Sequence, residues 1–212
     1  MIVVDMNYVI KILCYGSISL DRITPLLYSG SLVYSAMKNV ALSKDSTVGI
    51  IGLTNFGNIA CKLANALGSN VTVFDTNNKK NLSLHDLKAD EFININDNEE
   101  LIKKINTFDF ILDTRYNSKN ITNFLDLLKP DGKISIINSN DNIESDENKI
   151  KKIPLPSHKD IKELLDLCTY NKIYCNTQLI YAYQINDALE RLEQEDDEYY
   201  FVIDVNSIEP IN

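Results

Sequence analysis

The sequence predicts a doubly wound α/β fold, a parallel sheet covered by helices on both faces. Three observations predict it. From residue 46 onward, short apolar or β-branched runs alternate with stretches of helical period, the rhythm of strands that are buried on both faces and joined by crossover helices. The runs have strand rather than helix length. The clearest unit places a glycine-bearing turn between its first run and the next helix.

Upstream of the sheet, Thr24-Pro25 has the character of an N-cap and first-turn pair opening a mostly apolar helical stretch to about Leu42. Runs 47–51, 71–74, 91–95, 108–113 and 133–137 predict five strands. Between the first two, Ile59, Leu63, Ala66 and Leu67 share one helical face, and Gly68 stands where a helix end favours glycine. Ile121, Phe124, Leu125 and Leu128 form a further stripe that stops before Pro130-Asp131-Gly132, a breaker leading into the next strand. Residues 138–157 are polar, charged and interrupted by proline, which predicts a solvated loop or a damaged edge strand. Ser157 with Asp160 predicts the capped start of a helix bearing Ile161, Leu164, Leu165 and Cys168. The tail reads as strand 174–181, helix 184–194 with Ile185, Ala188, Leu189 and Leu192 on one face, and strand 200–205.

With 212 residues the chain can bury a conventional core. It carries 21 Lys and Arg against 30 Asp and Glu, a net charge of −9, which argues against nucleic acid or an anionic membrane as partner. The longest uncharged stretches, 23–37 and 46–61, fall short of a membrane span. Asp5 interrupts the first apolar run, so no leader is expected, and four cysteines without a C-x-x-C pair read as reduced thiols of a cytoplasmic protein. His85 and His158 lie in polar surroundings and read as surface residues, Cys168 as core, and the acidic residues between 190 and 198 as a solvated helix end and loop.

The segment Gly49-Ile50-Ile51-Gly52-Leu53-Thr54-Asn55-Phe56-Gly57 comes directly after a predicted strand and opens a helix. In dinucleotide-binding turns, one glycine permits the sharp turn, a second admits the pyrophosphate and a third allows close helix packing. Gly52 and Gly57 supply the first and third, while Thr54 holds the second place, where a side chain is expected to intrude on the phosphates. Asp75 closes the second strand, 23 residues after Gly52, placed to accept hydrogen bonds from a ribose. Its charge favours NAD over NADP, against the opposing pull of Lys79 and Lys80. An ordinary strand-terminal aspartate and a methyl-donor-binding domain fit the same spacing.

Seven segments in order (PLLYSGSLVYSAMK, 25–38; STVGIIGLTNFGNIACKLANALGSNVTVFDT, 46–76; FDFILDT, 108–114; FLDLLKPDGK, 124–133; IKELLDLC, 161–168; INDALERLE, 185–193; YYFVIDV, 199–205) resemble the cofactor half of the zinc-type alcohol dehydrogenases. The resemblance is to their cinnamyl-alcohol-dehydrogenase-like branch, within the medium-chain dehydrogenase/reductases. It implies a Rossmann domain over 16–172, a remnant of a catalytic domain over 1–15, and a strand-helix-strand tail over 173–212 that in the family joins that domain. It implies NAD or NADP as cofactor, with Gly52, Leu53, Thr54, Phe56, Gly57, Asp75, Lys80 and Thr114 as the binding residues.

The departures from the family pattern shape the functional expectation. Most family zinc ligands belong to the preceding catalytic domain, of which this chain resembles only the last strand, NYVIKI at 7–12. The PLLCAG cysteine ligand is replaced by Tyr28, a poor substitute for a thiolate. The arginine of the family's YRFV motif, which meets the pyrophosphate, is replaced by Tyr200. Pro154 and Pro156 fall in the family's dimer-edge strand and argue against that dimer. The expectation is an alcohol-dehydrogenase-like oxidoreductase with little or no activity as a lone chain and no catalytic or metal-binding residues of its own. A pseudoenzyme that binds a dinucleotide or another protein, or a gene relic, is the alternative.

Overall fold

A computed structural model of the protein describes residues 3–6, 9–12, 19–76, 84–116, 121–137, 148–194 and 199–208. Its centre is a five-stranded parallel sheet built from β1 (Thr47–Ile51), β2 (Asn70–Asp75), β3 (Glu91–Asn94), β4 (Phe108–Asp113) and β5 (Leu128–Ile136), in the order β3-β2-β1-β4-β5. The connections are α3 (Asn55–Ala66), α4 (Leu84–Leu87), α5 (Asn98–Ile102) and a 3-10 helix, Ile121–Leu127. Before the sheet come α1 (Leu20–Ile23), a 3-10 turn and α2 (Ser29–Asn39); after it come α6 (His158–Asn171) and a small unit of β6 (Thr177–Ile180), α7 (Ile185–Glu193) and β7 (Tyr200–Ile203).

The central strands are apolar on both faces because each face has its own cover. Val48, Ile50, Val71, Val73, Phe110 and Leu112 pack against α2, α3 and α6. On the other face Ile51, Phe74, Phe108, Ile111 and Ile134 meet Ile121 and Phe124. Phe74 is the hinge of that second cluster, edge-on to Phe108 at 5.4 Å and to Phe124 at 6.0 Å, a geometry that adds to the burial of the rings.

Several local expectations are met. Gly68 stands just past the end of α3 at φ +87. Ser157 accepts from the Asp160 backbone N–H, and the Asp160 carboxylate accepts from Ser157 in return, closing the capping box of α6. Leu164 and Cys168 are its buried residues. His85 and His158 are exposed.

The differences have physical causes. Helix begins at Leu20, one turn before Thr24, and Thr24 is not an N-cap but the first residue of the 3-10 turn Thr24–Leu27, its hydroxyl donating back to the Leu20 carbonyl (2.8 Å). The stripe from Ile121 forms a 3-10 helix. Pro130-Asp131-Gly132 does not precede the last strand but lies inside it, as a register shift between the Phe108–Leu128 and Phe110–Lys133 pairs. The looped-out residues leave the ladder, so the proline removes no bond from it. Beyond β5 the proline-bearing stretch contributes one parallel bridge, Ile150 to Ile134. Among the described residues of 7–12 there is no strand. In the tail, β6 and β7 pair in parallel with each other, while Leu189 and Leu192 of α7 remain 53% and 44% exposed, so their face is only half covered. No helix among the described residues is long and apolar enough to cross a membrane.

Candidate dinucleotide site

The site grows from the point where the strand order reverses. β1 pairs with β2 on one side and β4 on the other, and the next connections run to opposite faces. A crevice at the carboxyl ends of the strands is the consequence in such sheets. The turn from β1 to α3 closes it from below.

Gly52 takes φ +87, a conformation open to glycine at no steric cost. Gly57 is demanded by proximity, since a Cβ there would sit 2.0 Å from the Gly52 carbonyl oxygen. Thr54 does not intrude as the sequence suggested. It is the N-cap of α3, its hydroxyl accepting from the Gly57 N–H (3.3 Å) and lying 3.0 Å from the Thr114 hydroxyl, so the side chain is buried beneath the turn. A polar, capping side chain is tolerated in the middle glycine place because Thr114 receives it from below. Thr114, fully buried at the end of β4, in turn reaches the Gly52 carbonyl (2.8 Å) and the Ile51 carbonyl (3.1 Å). The pair of threonines therefore fixes the turn to the neighbouring strand.

Asp75 ends β2 within reach of the same turn. Its Oδ2 accepts from the Leu53 N–H at 2.6 Å and its Oδ1 from the Thr76 N–H at 2.6 Å. The carboxylate thus orders the glycine turn as well as placing negative charge at the strand end. Phe56, in the first turn of α3, packs edge-on against Tyr28 at 6.3 Å, and Tyr28 itself is 68% exposed. The Asn55 side chain donates to the Tyr199 carbonyl (3.2 Å), tying the turn to the strand-helix-strand tail. Lys80 lies outside the described residues.

Two neighbours escaped the sequence reading. Arg115 lies across the turn, its Cγ 2.8 Å from where a Gly52 Cβ would be. Its guanidinium makes a two-pronged pair with the fully buried Asp113, Nε to Oδ1 at 3.0 Å and Nη2 to Oδ2 at 2.7 Å. The signal available in sequence was a basic residue two places beyond the last residue of the fourth strand, at the carboxyl edge. Beside Arg115 an open pocket of about 550 Å³ extends along the ends of β2, β3 and β4, with Thr76, Asn96 and Phe124 in its lining.

Tyr200 turns inward. It packs against the core cluster beneath α3, and burial pushes its phenol above the ordinary value, with Ser29 near enough to oppose the shift but outside hydrogen-bonding geometry. Among the described residues no three His, Cys, Asp or Glu side chains converge on a point.

A parallel sheet reversing at a glycine turn, with an acidic residue ending the next strand, defines a Rossmann-type domain, and comparison with known proteins narrows the class. Residues 56–168 match the family described as zinc-binding dehydrogenase, and the chain belongs to that family. An aldehyde reductase from Escherichia coli (strain K12) is 31% identical over 212 residues, covering 96% of this chain and 60% of its own length. Among solved structures, a cinnamyl alcohol dehydrogenase from Sorghum bicolor superposes with a TM-score of 0.86 at 30% identity, over 97% of this chain and 61% of that one. CAD from Helicobacter pylori, complexed with NADP(H), gives 0.74 at 25% identity, over 89% of this chain and 56% of that one. The chain therefore spans about three-fifths of the length of relatives such as the reductase.

Proposed function

We propose that this chain binds a nicotinamide dinucleotide across the glycine turn, as the cofactor-binding part of an alcohol- or aldehyde-linked oxidoreductase. The observation that carries the reading is the turn itself. Gly52 adopts the positive φ, Gly57 has no room for a side chain, and Thr54 is folded beneath, so the N-terminus of α3 is not blocked by the one non-glycine residue of the motif. A helix N-terminus of this kind favours the pyrophosphate through its unpaired N–H groups and dipole. The pocket beside Thr76 and Arg115 suits the adenosine half.

Each residue then has a task. Gly52, Leu53, Thr54, Phe56 and Gly57 form the floor, Thr114 locks it to β4, and Arg115 brings a cation to a turn from which Tyr200 has withdrawn. Asp75 sets the ribose preference toward NAD, because its charge repels a 2′-phosphate. The bound nicotinamide would supply the hydride-accepting carbon.

The donor set does not fit zinc. Tyr28 stands exposed at the family's cysteine position, and no convergent ligand group exists among the described residues. We therefore propose that this chain by itself transfers little or no hydride to or from alcohols. The inward turn of Tyr200 and the exposed Tyr28 also favour the alternative of a dinucleotide-binding module without turnover.

Titration of NADH fluorescence tests the reading. Saturable enhancement with a Kd in the micromolar range, and at least several-fold weaker binding of NADPH, is expected. Absence of any response to either nucleotide would remove the proposal.

A further inference from the structure

A second pocket lies away from the glycine turn, where α1, α3, α4 and the end of α6 meet. Its open volume is about 540 Å³, and its charged lining is Arg22, Lys62, Lys88 and Lys172 against Asp86, with His85 at the rim. Four positive charges less one negative leave +3, on a chain whose net charge is −9. Three helices, α3, α4 and α6, end at this pocket. Their C-termini offer at most about half a negative charge each, so about +1.5 remains uncompensated.

The cations are arranged rather than scattered. Among the described residues Lys62, Lys88 and Lys172 enter no ion pair. Arg22 is held flat over the Tyr174 ring, its guanidinium carbon 3.6 Å from the ring centroid, which fixes the plane of its donors. Lys62 is half-buried, and burial lowers its pKa. Lys88 and Lys172 both occupy left-handed backbone, at φ 59 and φ 54, where glycine or asparagine is the usual choice.

We infer that this pocket is a binding site for a small phosphate-bearing anion, separate from the dinucleotide site. Three lysines and one arginine line it from different elements, a distribution suited to the several oxygens of a tetrahedral or linked phosphate rather than to one planar carboxylate. A ligand of this charge relieves the mutual repulsion of Arg22 and Lys62.

Calorimetric titration with inorganic pyrophosphate at low salt tests the site, with citrate as a comparator of similar charge. The wild-type chain is expected to bind pyrophosphate, and the double variant Lys62→Gln/Lys88→Gln to bind it about tenfold or more weakly, as the loss of two charged contacts implies. Neither lysine is ion-paired among the described residues, so the double variant should fold, and circular dichroism checks this. With the glycine turn saturated by NADH, the pyrophosphate binding that the double variant loses should persist. No binding by the wild-type chain, undiminished binding by the double variant, citrate binding as tightly as pyrophosphate, or loss of all pyrophosphate binding at saturating NADH would each overturn the assignment.

Discussion

A methyl group added at Gly57 would stand 2.0 Å from the Gly52 carbonyl oxygen, a backbone atom that cannot move without opening the turn. Gly57→Ala is therefore expected to lower stability by about 3 kcal/mol in urea denaturation and to abolish NADH binding; an unchanged midpoint would mean the turn is looser than its geometry. Arg115 works differently. Removing it strands the buried Asp113 carboxylate, so Arg115→Gln should cost about 3 kcal/mol and weaken NADH binding about tenfold. Adding Asp113→Asn should restore much of the stability but not the affinity, separating the structural role from the cationic one. At this scale the sharp turn at Gly52, the crowding at Gly57 and the place of Asp75 at a strand end were legible, because they are local to a strand-turn-helix pattern. The fate of Thr54 was not. Its direction is set by Thr114, 60 residues away on a neighbouring strand, and no local pattern carries that contact.

Elements show where local signals suffice. The box at the start of α6 was readable as Ser157 and Asp160, and its strength comes from a partner on another helix: Lys38 of α2 reaches both Asp160 and Glu163 at 2.6 Å. The Lys38 hydrogen bond first, then those from Ser157, hold the Asp160 carboxyl well below its usual range. A depressed carboxyl contributes stability that is complete above its unfolded pKa, near 4, and is lost as pH falls below it. Ser157→Ala should cost about 1 kcal/mol at pH 7, with the difference from wild type shrinking as the pH is lowered from about 4. A difference independent of acid would show that the box contributes nothing through Asp160. The last sheet strand was less legible, since Pro130 and Gly132 signal an interruption without saying whether the strand ends or bulges around it. The pairing of Leu128 with Phe108 decides for the bulge.

Across the whole molecule, the sheet order and the two apolar layers derive from the alternation of runs along the chain, and so does the reversal of strand order beside β1. Burial pushes the thiols of Cys61, Cys168 and Cys175 up to about 12. At neutral pH these three should resist a thiol reagent in the native state and be labelled only as fast as the protein unfolds, which residue-resolved mass spectrometry can check. Rapid labelling of any of them would place a local opening in the layer beneath α3 and α6. The strand-helix-strand tail is the part least determined by sequence pattern: the strands were legible, but their pairing with each other depends on what else is available, and Leu189 and Leu192 remain partly exposed beside it.

Hydrogen exchange measured with and without saturating NADH tests most directly whether the glycine turn is a working dinucleotide cradle. Slowed exchange of the amides at 52–57 and 114–116, with little change in β5 or α6, is the expected result. Unaltered exchange at the turn, or protection confined to the basic pocket around Lys62, would contradict it.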